Sequence, residues 1–256
     1  MKKIYSLLLI SLSVLYSCSD GVDNNLKLLK KVVEVSDNGS SETTLYTYDD
    51  NNIVSIDGVH KKIEFTYTFD LITKIVTLNK VNQEKGTVEY SYREGRLVKA
   101  DFINKYVMNY LYNTDGTISY EKLVKNPENL FVREYHGVLF FDNKNFTKDE
   151  RILDNIGVGV IAKYSIGFDY DDKKSPMLNV IGFNKLYDLK DAVSINNSLI
   201  STEINSVEQN DQVITAAKYY KSTYKYDAEG YPIEKISETG NLNNTTPVYI
   251  KSQFFY

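Results

Sequence analysis

The reactive inventory of this chain is short. Its 256 residues include one cysteine, Cys18, and two histidines, His60 and His136. One cysteine excludes a disulfide framework and a zinc site built on paired thiolates. Two separate histidines fall short of a histidine metal cluster. His60 lies in Asp57-Gly58-Val59-His60-Lys61, which reads as a turn, and His136 lies between Tyr135 and Gly137 in a strand pattern. No G-x-S-x-G elbow accompanies either one, and no glycine-rich phosphate loop occurs. Acids are more plentiful, at 34. Asp49-Asp50-Asn51-Asn52, Asp169 with Asp171-Asp172, and Asp227 with Glu229 offer oxygen ligands of the kind calcium takes, but none has the EF-hand spacing. Hairpin turns need the same residues for backbone reasons, so these stretches read as turns. Two carboxyls about 5 to 10 Å apart in a cleft would hydrolyse a glycoside. Sequence does not show that separation, and Glu64 and Glu89 fall on polar strand faces where solvated charge belongs. No catalytic, cofactor-binding or metal residue is therefore expected. A net charge of −4 gives no electrostatic case for nucleic acid.

The first residues carry a clearer signal. Met1-Lys2-Lys3 is a basic start, and Ile4 to Leu15 is a mainly apolar run of 12 residues. That is too short to span a bilayer as a helix and fits a signal-peptide core. Leu15-Tyr16-Ser17-Cys18 follows. It resembles the bacterial lipobox, with Leu at the third position before the cysteine and a small residue just before it. The resemblance implies cleavage after Ser17 and lipidation of Cys18. The stretch Ser19-Asp20-Gly21-Val22-Asp23 is similar to the acidic tether of surface lipoproteins in Bacteroidetes. On this reading residues 1–17 are the signal peptide, 18–25 a lipidated tether and 26–256 one antiparallel β domain. Several acyl chains on one cysteine would hold it on a membrane stably.

The elements that would position any site are strands. Val158, Val160, Ala162, Tyr164, Ile166, Phe168 and Tyr170 alternate with mostly polar or small residues, as side chains do across a pleated sheet. Ile63, Phe65, Tyr67 and Phe69 repeat the pattern, as do Val88, Tyr90 and Tyr92, and later Val248, Ile250, Phe254 and Tyr256. Few stretches offer helical spacing; Leu186, Leu189 and Val193 are one candidate.

Many of the 22 tyrosines fall in a repeated phrase. Two aromatics one residue apart are followed by an Asp/Asn/Gly turn and a short apolar return. Copies start at Tyr46, Tyr90, Tyr110 and Tyr224, with looser ones from Phe65 to Ile75, Phe140 to Phe146 and Phe168 to Pro176. Each phrase is a β-hairpin. The aromatics bury large area on one face, and the turn residues tolerate positive φ. Stacked hairpins make a meander that must curl or close to hide its edges. The phrases resemble the YD repeats of RHS-type proteins, and resemble more closely a family of Bacteroidetes lipoproteins of unknown function with a porin-like fold. Phe168-Asp169-Tyr170-Asp171-Asp172-Lys173-Lys174-Ser175-Pro176 is similar to that family's segment preceding a loop excursion, with Ser175 in place of its usual Asn. The resemblance implies an all-β antiparallel meander, closed or nearly closed into a barrel, and no particular activity.

The expected function is that of a lipid-anchored outer-membrane protein, on the periplasmic or the surface side. It would bind a protein or glycan ligand rather than catalyse, and would use no cofactor. Two other readings remain open at this stage. One is a carboxylate-based glycan hydrolase; the other is an integral outer-membrane barrel, suggested by the same alternation and by the C-terminal Phe254-Phe255-Tyr256.

Overall fold

The computed structural model describes residues 26–189, 193–241 and 248–256. Cys18 and its signal peptide lie outside them. Sixteen strands follow in order. The first eight are β1 (Lys31–Ser36), β2 (Ser41–Asp49), β3 (Asn52–Asp57), β4 (Lys61–Thr68), β5 (Leu71–Asn79), β6 (Lys85–Arg93), β7 (Arg96–Phe102) and β8 (Tyr106–Tyr112). The rest are β9 (Ile118–Lys125), β10 (Phe131–Asp142), β11 (Asn145–Leu153), β12 (Val160–Tyr170), β13 (Ser198–Gln209), β14 (Gln212–Tyr226), β15 (Pro232–Asn241) and β16 (Val248–Phe255). Each pairs antiparallel with the next, and β1 pairs with β16 to close the barrel, with Lys31 opposite Phe255 and Ser36 opposite Ile250. The expectation of an all-β antiparallel meander closed into a barrel is met.

The alternation sorts the side chains onto two faces. Ile63, Phe65 and Tyr67 of β4 face inward opposite Thr77, Ile75 and Ile72 of β5, and most of these belong to the buried core. The residues between them face out. Lys62 with Glu64, Lys74 with Glu89, Lys99 with Asp101, Lys148 with Glu150, and Glu234 with Lys225 and Lys251 form ion pairs along the outer wall.

The repeated phrase has one structural job. Its turns lie at one end of the barrel. In the hairpins β2–β3, β4–β5, β6–β7, β10–β11 and β14–β15 the register shifts at the second aromatic: Tyr48, Tyr67, Tyr92, Phe141 and Tyr226. A shift there is a bulge, which bends the strand and re-aims a side chain. The re-aimed tyrosines reach backbone carbonyls. Tyr48 Oη donates to Leu29 O (2.8 Å), Tyr92 Oη to Ile72 O (2.7 Å) and Tyr67 Oη to Ile181 O (3.0 Å). The acidic residues are turn formers, as expected. Asp115 Oδ1 accepts from Thr117 N (3.0 Å), Asp171 Oδ1 from Lys173 N (2.9 Å) and Asp227 Oδ1 from Tyr231 N (2.9 Å).

A barrel of this strand number is too wide for wall side chains to fill; barrels of that size elsewhere hold a channel. Here residues 171–189 and 193–197, between β12 and β13, fill the turn end. Val180, Phe183, Leu186 and Val193 join Ile53, Phe65, Ile72, Tyr90 and Leu97 in one buried cluster. The phenyl rings of Phe65 and Phe183 lie 5.9 Å apart, and Ile181 N donates to Asn51 O (3.1 Å). Gly182 adopts φ of 73°, and a Cβ there would sit 2.9 Å from Asp70 O, so the plug meets the β4–β5 turn only because this residue is glycine. Over the helical spacing read at Leu186, Leu189 and Val193, the described residues show a 3₁₀ turn at Phe183–Lys185 and helical conformation at Val193, and residues 190–192 lie outside the described residues. The strand expected from Val158 begins at Val160, because Gly157 and Gly159 take φ of 124° and 72° and leave Val158 in solvent.

Tyr92→Phe should lower stability by about 1 kcal/mol, since it leaves the Ile72 carbonyl without its donor; a urea midpoint equal to that of the unaltered protein would contradict this. Burial pushes the hydroxyls of Tyr46, Tyr67 and Tyr164 up from 10.0 to about 12. A raised folded value contributes stability that is complete below the unfolded value and is lost as pH rises through the folded one. The barrel should therefore hold to about pH 10 and lose stability between 10 and 12, with tyrosinate absorbance rising as it opens.

A candidate binding chamber inside the barrel

The interior holds a cavity of about 130 Å³, walled by β7 to β11 and the plug. Phe102, Tyr106, Tyr110, Tyr120, Tyr135 and Tyr187 supply aromatic walls, and Asp149, Arg151 and Asp188 supply charge. Strand adjacency assembles it. Tyr110 lies opposite Tyr120 across β8–β9, Tyr120 opposite Gly137 across β9–β10, and Gly137 opposite Arg151 across β10–β11. Gly137 is required by the close approach of its neighbours. A Cβ on it would lie 2.3 Å from Glu150 O and 2.7 Å from the Tyr120 ring, so the ring rests on bare backbone.

One side of the chamber is a closed ionic cluster. Asp149 is fully buried. It accepts from Tyr120 Oη and from Arg151, whose Nε lies 2.9 Å from Oδ2. Arg151 Nε also donates to Tyr120 Oη (2.6 Å), and the guanidinium sits over Tyr164 (4.8 Å) and Tyr135 (5.1 Å). Burial works to lower the Arg151 pKa, but the hydrogen bonds and charge of Asp149 outweigh it, and the cation is held. Lys122 reaches the same rings. Its Nζ lies 4.2 Å above Tyr106 and pairs with Glu134 at 2.6 Å.

The opposite side is different. Asp188, on the plug, accepts one hydrogen bond at Oδ2 from Tyr90 Oη (2.7 Å), while its Oδ1 is buried without a partner. Burial raises the Asp188 pKa above the usual carboxylate range, against the lowering effects of the Tyr90 bond and of its own backbone N–H. The same carboxylate, after burial, helps to push the Tyr90 hydroxyl far up.

The residues singled out by sequence lie elsewhere. His60 is in the turn between β3 and β4, beside Glu42 (3.3 Å), and both side chains are exposed. His136 is on the outer face of β10, 2.9 Å from Asp154, which Arg133 also holds. Glu64 and Glu89 are on the outer wall with lysines. Asp50 and Asp70 border a wider recess of about 560 Å³ at the turn end with Asn51 and Asn52, but both are exposed. Among the described residues no group of three or more His, Cys, Asp or Glu is arranged to hold a metal ion. Tyr120, Asp149, Arg151 and Asp188 went unremarked in the sequence. No local signal marked them: alternation from Phe146 puts Lys148 and Glu150 on its face, and only the register shift between Phe140 and Phe141 turns Asp149 and Arg151 inward.

No protein-family model matches the chain. A protein of Acanthamoeba polyphaga mimivirus named for ankyrin repeats is 25% identical over 138 residues, which is 53% of this chain and 18% of the relative. The chain thus spans less than a fifth of that relative's length. Among solved structures, a porin-like protein from Bacteroides uniformis aligns with a TM-score of 0.46 and 9% identity, over 89% of this chain and 96% of that one. The barrel rests on its own strand register, and the chamber on its own geometry.

Asp188→Asn should stabilise the protein near neutral pH by about 1 to 3 kcal/mol, because it removes a buried charge whose second oxygen is unpaired. The sign follows from the raised pKa: the charge penalty of Asp188 is absent below the ordinary carboxylate value, builds as pH rises from there to the raised value, and is complete above it. The gain should fade in acid, and urea titrations at neutral and acidic pH read it. A destabilised variant at neutral pH would contradict the reading.

Proposed function

We propose that the protein is a lipid-anchored cell-envelope protein that binds a ligand and does not catalyse. Its lipid would be carried by Cys18, with residues 18–25 as tether and 26–256 as the ligand-binding domain. It would stand on the outer membrane, on the periplasmic or the surface side. The observation that carries this reading is the filled lumen: aromatic wall residues and the plug leave a cavity of about 130 Å³. That is below the several hundred Å³ of ordinary substrate clefts. Asp149 and Asp188 do share the cavity, as a carboxylate hydrolase would require, but Asp149 is tied to Arg151 and Tyr120, and a glycan chain has no cleft to cross there. The outer wall argues against burial of the barrel in lipid. A membrane barrel presents an apolar band to the acyl chains, whereas this wall is crossed by Lys–Glu and Lys–Asp pairs on β4 to β7, β11 and β14 to β16. A barrel standing in water needs a separate attachment, and the cysteine after the signal peptide supplies one.

Cys18→Ala should move the protein from washed membranes to the soluble fraction and abolish incorporation of a fatty-acid label. Unchanged membrane retention of the variant would overturn the anchor.

A further inference from the structure

The chamber has an unequal charge balance, and it points to a ligand. Arg151 is matched by Asp149, and Lys122 by Glu134. Among the described residues no cationic side chain matches Asp188, whose buried Oδ1 lacks any hydrogen-bond partner. A buried carboxylate oxygen left open in a folded protein calls for an explanation, since such groups are normally satisfied. The rings supply the second observation. Tyr110 and Tyr187 meet edge to face with centroids 5.6 Å apart, and both border the cavity with Asp188. Aromatic faces attract cations, and in this chamber they already do so: Tyr106 takes Lys122, and Tyr135 takes Arg151. Size is the third observation. A cavity of about 150 Å³ accepts benzene, so one of about 130 Å³ suits a compact molecule of a few carbons.

We propose that this chamber binds a small organic ammonium ion, whose N–H donates to Asp188 Oδ1 and whose alkyl group packs against Tyr110 and Tyr187. This deepens the binding reading by naming a ligand class. An inorganic cation would leave the aromatic walls without function, and an anion would meet an open carboxylate. A neutral alcohol would fill the space and donate to Oδ1 but leave the charge unmatched. The ligand sits where the plug meets the wall, so its binding also ties the plug to β6 and β8, the strands of Tyr90 and Tyr110.

The test uses the full chain in detergent, titrated calorimetrically with isobutylammonium chloride and, in parallel, with isobutanol, which has the same shape and no charge. Isobutylammonium should bind saturably at one site, and isobutanol about ten-fold or more weakly. Asp188→Asn should weaken the ammonium by about ten-fold or more while its urea midpoint at neutral pH stays at or above that of the unaltered protein. Tyr110→Leu, at a second wall of the site, should weaken both probes, because each packs the same alkyl group against that ring, and unchanged ammonium affinity in this variant would overturn the proposal. Equal affinity for the two probes, unchanged affinity in Asp188→Asn, or no saturable binding of the ammonium would each overturn the proposal. None of these outcomes bears on the anchor, which is read separately from membrane retention of the Cys18 variant.

Discussion

A closed sheet of sixteen strands encloses more space than its own side chains can fill, and this protein's organisation follows from that mismatch. Two devices fill the space. The wall sends in large aromatics instead of aliphatics, and the chain sends in a segment of its own, residues 171–189 and 193–197. Tyrosine suits the first task because its ring fills volume while its hydroxyl reaches a carbonyl at the far side of the gap. Tyr67 shows both at once: its ring packs with the core, and its hydroxyl takes Ile181 of the plug as acceptor. The wall and the plug are thus parts of one interior, joined by hydrogen bonds between tyrosine hydroxyls and backbone.

The same constraint bears on where charge lies in the wall. Most buried apolar residues lie in the lumen, and the outer face carries paired charges beside exposed apolar residues such as Leu111 and Ile161. Surface pairs of this kind contribute little stability each, so their effect is on solvation rather than folding. What is distinctive is the placement of charge inside. Asp149 and Arg151 are buried together and satisfied by each other and by Tyr120. Asp188 is half-buried, with its Oδ1 out of reach of solvent and unsatisfied. Stability alone would not retain such a group, since folding is favoured by removing it. That asymmetry within one small chamber is the basis for assigning a ligand to it.

Much of the fold was legible in the sequence because its cause is local. Alternation over β4 or β12 reports a pleated strand with one buried face, and the turn after each aromatic pair reports positive φ that only certain residues tolerate. Glu94-Gly95 and Asn143-Lys144 show this directly, with positive φ at both turn positions. The plug was not legible. Its buried residues, Val180, Phe183, Leu186 and Val193, face different strands and so keep no period. The chamber was hidden for a related reason. Tyr120 and Asp149 are 29 residues apart and meet only because β9, β10 and β11 are neighbours. Nothing in Leu186-Tyr187-Asp188-Leu189 marks Asp188 Oδ1 as out of reach of solvent until the barrel closes around it. Cys18 is the converse case: its signal is entirely local, and it lies outside the described residues.

The central claim is that the plug is an integral part of a solid interior rather than a loop lying over an open pore. Native-state hydrogen exchange on residues 177–189 tests it most directly. The amides of Val180 and Leu186 are hydrogen-bonded and packed within the core, and that of Ile181 is bonded to Asn51 O, so they should exchange as slowly as the amides of β4 and β6, only when the barrel itself opens. Exchange of these amides at the rate of exposed turns, with the strands still protected, would show a lumen that is not filled and would contradict the account.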